Sequence, residues 1–130
     1  MTYYYAKTFV RPFDEVVAAT RQALAEEGFG VITEIDVRQT MKAKIGEEFR
    51  PYTILGACNP RMAFEALQLE DKVGIMLPCN VIVQDAGGGR TEIAAVDPVA
   101  SMASIANSAL MEKASIIGAS LRAAIHRIHD

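Results

Sequence analysis

The sequence predicts an α+β domain: a curved, largely antiparallel five-stranded sheet packed on a long C-terminal helix, with additional short helices. Three observations carry this expectation. Five strand-like runs are separated by helical spacing at most junctions but not all, which argues against a doubly wound parallel sheet. The last two strands are joined by Gly87-Gly88-Gly89, a connection short enough only for an antiparallel hairpin. From Ser104 to His129 the apolar residues fall at helical spacing without a break.

Each element has its own local reason. Thr2–Val10 is rich in aromatic and β-branched residues, and Arg11-Pro12 ends it. Phe13, Val16, Val17, Ala23 and Leu24 are spaced as one face of a helix, which Gly28 closes where the chain must turn left-handed. Phe29–Val37 reads as the second strand, and Gln39–Ile45 as a short helix stopped by Gly46. Asp36, between them, has the position of a helix N-cap. Pro51–Ala57 is the third strand. Asn59-Pro60 then opens a helix, as N-cap and first helical residue, with Met62, Ala63, Ala66, Leu67 and Leu69 as its buried side. Val73–Gln84 reads as a fourth strand interrupted by Pro78, which cannot donate to a ladder. Thr91–Val96 is the fifth, and Asp97-Pro98 marks a turn or helix start. In the final helix Ala106, Leu110, Ala114, Ile117, Leu121, Ile125 and Ile128 form one stripe. It would be roughly 35 Å long. No linker or repeat divides the chain, so residues 1–130 are expected to form a single domain.

Composition narrows the function classes. With 130 residues, 51% of them hydrophobic and 22% charged, the chain can build one substantial core. The net charge of −3 argues against a nucleic-acid partner, which usually requires a basic patch. The two cysteines are too few for a disulfide scaffold. There is no apolar run long enough to insert in a membrane, and the first residues lack the build of a secretory signal. The expectation is a soluble, cytoplasmic domain. The triple glycine lacks the spacing of a phosphate cradle and is followed by a strand. No Ser-His-Asp set, carboxylate pair or metal-binding helix motif can be argued, and no cofactor is expected.

Two passages carry the remaining chemistry, Leu55-Gly56-Ala57-Cys58-Asn59-Pro60 and Met76-Leu77-Pro78-Cys79-Asn80-Val81. Each places Cys-Asn beside a proline at a strand. Together with Gly28-Phe29-Gly30-Val31, Ile35-Asp36-Val37 and Ala66-Leu67, they resemble the domain-of-unknown-function 302 family. The resemblance implies a small prokaryotic α+β domain of the TATA-binding-protein-like type, often a homodimer, with no established reaction. It marks Asp36, Cys58, Asn59, Pro60, Pro78, Cys79 and Asn80 without assigning them roles.

Physical chemistry gives the cysteines two readings. They can pack as small buried hydrophobes. They can also converge as a thiol redox or soft-metal pair, with Cys58 favoured as thiolate near a helix N-terminus. A zinc site would need two further ligands, and only His126 and His129 offer imidazoles. Neither face of the fourth strand is cleanly polar, so both are expected to be covered. The leading expectation is a non-enzymatic homodimer that binds a small apolar molecule in a sheet–helix concavity lined by Cys58, Asn59, Met76, Cys79 and Asn80. The alternative is redox or soft-metal chemistry at Cys58 and Cys79. A third is an interaction module whose function is assembly alone.

Overall fold

A computed structural model describes residues 2–130. Its sheet has five strands in the order β1-β5-β4-β3-β2, every neighbouring pair antiparallel. The strands are β1 (Tyr4–Phe9), β2 (Gly30–Asp36), β3 (Tyr52–Cys58), β4 (Cys79–Gly87) and β5 (Arg90–Val96). The helices are α1 (Phe13–Glu26), α2 (Val37–Ile45), α3 (Pro60–Leu69), a single turn α4 (Pro98–Ser101) and α5 (Ser108–His126). The expected fold class therefore stands.

The strand alternation sorts one buried face from one open face. Phe9, Leu55, Ala57, Val81, Val83, Ile93 and Ala95 are buried beneath α1 and α5. The sheet is thus covered by two helices, with Val16, Ala23 and Leu24 of α1 joining Ile117, Leu121 and Ile125 of α5. A smaller cluster of Ala66, Val73, Met102, Leu110 and Ala114 fills the space between α3, α4 and the first half of α5. α5 consequently serves two cores, its N-terminal half against α3 and its C-terminal half against the sheet. Its end is tied to β1: Lys7 Nζ donates to Ile128 O at 2.8 Å, and Val10 N to Asp130 Oδ1 at 2.8 Å.

Four expectations are corrected. The segment Asp71–Met76 is a 3-10 helix, and β4 begins only at Cys79, after a cis Leu77-Pro78 bond. Pro78 thus precedes a central strand without entering it, which leaves that strand's ladder intact. α5 starts at Ser108 because the Asn107 side chain accepts from Leu110 N, so Ala106 falls outside it and the helix is about 28 Å long. Finally, the second face of the sheet is open: Asn80 is exposed, and Ile82 and Gln84 are only half-buried. In α3, only Ala66 of the expected apolar side is fully buried, while Leu67 and Leu69 are largely exposed.

Candidate functional site

The two cores do not fully meet. At their seam lies a cavity of about 210 Å³. Its wall takes Phe29, Ala57, Cys79 and Ile117 from the sheet core, and Ala66, Met102, Leu110 and Ala114 from the smaller one. The cause is side-chain length. Ala57, Ala63, Ala66 and Ala114 line it from β3, α3 and α5, and none reaches far enough to close the gap.

Sequence determines how the cavity's polar edge is built. Asn59 caps α3, its Oδ1 accepting from Met62 N at 3.2 Å, and Pro60 occupies the first turn. This holds Cys58, the last residue of β3, at the cavity wall. Ala57 pairs with Cys79 across β3 and β4, which puts both cysteines at one end of the sheet. Neither forms a disulfide; Cys79 is buried and Cys58 half-buried. Burial pushes the Cys79 thiol up to about 11, and the neighbouring Cys58 adds to that rise. Lys113 of α5 also lines the cavity, with its Nζ 2.7 Å from Glu65 Oε1 on α3. That ammonium, by hydrogen bond and by charge, holds the Glu65 carboxyl below the usual carboxylate range.

Close backbone approach shapes the same region. A Cβ built on Gly56 would lie 2.1 Å from Thr33 Oγ1 and 2.7 Å from Pro78 Cγ, so only glycine fits between β2 and the proline ring. β2 carries an irregularity between Val31 and Thr33, and Ile32 at that point reaches the cavity lining while 61% exposed. The irregular register accounts for a residue that simple alternation would not aim there.

Of the expected lining, the structure brings together Cys58, Asn59 and Cys79. Met76 lies elsewhere, in a shallow depression beside Glu70, Ile75 and Ile105. Asn80 is on the open face with Tyr52 and Ile82. Asp36 caps α2 by accepting from Gln39 N at 3.0 Å. His126 and His129 are exposed at the far end of α5 and do not line the cavity. Among the described residues no group of three or more His, Cys, Asp or Glu is placed to hold a metal ion. Sequence reasoning missed Phe29, Leu110, Lys113, Ala114 and Ile117. The last four recur at helical spacing and so share one face of α5; that signal was present, but it pointed equally well to ordinary core.

The comparisons add a family and a fold. Residues 5–128 match the family described as "Domain of unknown function DUF302". The structure is similar, at a TM-score of 0.90 and 28% identity over 98% of each chain, to the crystal structure of an uncharacterized conserved protein DUF302 from Bacillus stearothermophilus. No curated protein matches the chain. The family match runs over nearly the whole sequence and takes in both cysteine passages, the α3 cap and all of α5: the chain belongs to the DUF302 family.

Proposed function

We propose that this protein binds a small apolar molecule in the seam cavity and acts as a homodimer. The observation that carries the reading is the character of the wall: alanine methyls, aliphatic side chains, one phenyl ring and two thiols line a partly open cavity of about 210 Å³. An apolar cavity of about 150 Å³ is already large enough to take benzene, while drug-sized ligands need about 300 Å³ or more. The expected ligand is therefore a single ring or a short branched chain. Asn59 and Lys113 are the lining groups able to meet a polar atom of it.

The thiol chemistry reading is weaker on the same wall. A thiol held protonated up to about pH 11 is a poor nucleophile and a poor ligand at neutral pH, and Cys79 is in that state. Apolar packing of Cys79 against a ligand fits its environment better. Native mass spectrometry of freshly purified protein tests the proposal, because it reports subunit count and retained mass together. The expected spectrum shows two chains of 14.1 kDa with a small organic molecule that leaves on collisional activation. Bare single chains would count against both parts of the reading.

A further inference from the structure

The cavity's wall also restricts what the polar part of a ligand can be. We infer that the seam cavity selects a hydrogen-bond acceptor: a single ring or short branched chain that bears a carbonyl or carboxylate oxygen. The inference rests on the cavity-binding reading and adds the chemical class of the ligand.

The side chains of the wall offer hydrogens and no spare oxygen. Among the described residues the lining includes no Ser, Thr, Tyr, His, Gln, Asp or Glu. Its one side-chain oxygen is Asn59 Oδ1, which already accepts from Met62 N at 3.2 Å. That bond fixes the orientation of the amide, so the end left over is Nδ2 with its two hydrogens. Nδ2 donates to no protein group among the described residues. It is not sealed in the core either, since no fully buried side-chain nitrogen or oxygen there lacks a partner. Lys113 Nζ gives one hydrogen to Glu65 Oε1 at 2.7 Å, and Glu65 is not part of the wall. An ammonium has three hydrogens, so two remain. Cys79 keeps its proton up to about 11, and a protonated thiol is a weak donor.

The main chain does not reverse this balance. Ala57 of β3, Ala63 and Ala66 of α3, and Leu110 and Ala114 of α5 lie within ladders and helices, where the carbonyls already have partners.

Electrostatics points the same way. Asn59 is the N-cap of α3, a helix of ten residues whose N-terminal end carries partial positive charge. Lys113 adds an ammonium. An acceptor oxygen on the ligand gains from both groups. A donor on the ligand would give up its bonds to water and find no free side-chain oxygen in exchange.

Methyl-resolved NMR titration with four probes of similar shape tests this. Acetophenone carries a carbonyl, and isopropenylbenzene replaces that oxygen with a methylene. Benzoate carries two acceptor oxygens, and benzamidinium replaces them with donors. The expected result is that acetophenone or benzoate binds about tenfold more tightly than isopropenylbenzene, the worth of one hydrogen bond to a charged or dipole-assisted donor, and that benzamidinium does not bind. Tighter acetophenone identifies a neutral carbonyl ligand, and tighter benzoate a carboxylate. Two variants locate the donor. Lys113→Met keeps the stem and removes the ammonium. Asn59→Asp keeps the cap of α3, because aspartate caps as well as asparagine, and removes the Nδ2 hydrogens. At least one of them should bring the tenfold preference to about one while isopropenylbenzene binds as before. Equal affinity for isopropenylbenzene and its oxygen analogues, a preference for benzamidinium, or a preference that survives both variants overturns the inference and leaves the cavity reading standing. No shift with any probe overturns both.

Discussion

At the scale of single residues, Cys79 gives the clearest physical consequence. Its thiol is held at about 11 by burial and by Cys58, well above the about 8.5 of a free cysteine. Below the unfolded value, both states keep the proton and the difference has no effect. Between the two values the unfolded chain releases a proton that the folded chain retains, so stability falls as pH rises and levels off only beyond about 11. Each pH unit of that difference corresponds to about 1.4 kcal/mol. Urea unfolding of wild type and Cys79→Ala, followed from pH 8 upward, isolates the effect from other titrating groups. Wild type should lose stability over this window relative to the variant. Parallel pH profiles would show that the thiol is not held protonated by the fold. The roles of Asn59 and Pro60 were legible in the sequence because capping depends on neighbours a few residues away. The fate of Asn80 was not, since it depends on which side of a distant helix pair the strand presents.

At the scale of elements, local chemistry sets where helices begin and tertiary packing sets which strands exist. Asn107 illustrates the first. It caps α5 through Leu110 N at 3.0 Å, and its Nδ2 donates to Leu69 O at 3.0 Å, tying the start of α5 to the end of α3. Asn59 makes a cap of the same kind through Met62 N. Losing a cap costs about 1 kcal/mol. Asn107→Ala should therefore cost more than Asn59→Ala, by about 1 kcal/mol for the second hydrogen bond. Chemical denaturation of the two variants checks the order; equal losses would mean that the link to Leu69 contributes nothing. The sequence also shows the three-glycine hairpin, where Gly87, Gly88 and Gly89 all take positive φ. It misled over Val73–Met76, whose apolar residues suit a strand. There the Glu70 side chain accepts from Lys72 N, Val73 is buried in the smaller core, and Ile75 stays 80% exposed. A short helical turn buries one residue of that run, and a strand would have needed a partner that β3 and β5 already supply to β4.

At the scale of the whole molecule, the helix α5 joins two cores that alanines keep from closing on one another. The fold class was readable because periodicity and hairpin geometry are local signals. The cavity was not, because it arises from short side chains on β3, α3 and α5 that are far apart in the chain. Its two cysteines and the α3 cap were visible as motifs, while Lys113 and Phe29 looked like ordinary helix and core residues. The open sheet face was equally hidden, since an uncovered layer and a layer covered by a helix share the same mixed pattern.

The most direct measurement of the central claim is a methyl-resolved NMR titration of the protein with benzene, a probe smaller than the cavity. The methyl groups of Ala57, Ala66 and Ala114 should shift together and saturably, while the exposed Ile116 methyls stay still. In Ala66→Leu, where added carbons occupy the space, the shifts should vanish. Unmoved alanine methyls in the wild type, or the same shifts in the filled variant, would contradict a cavity that takes an apolar ligand.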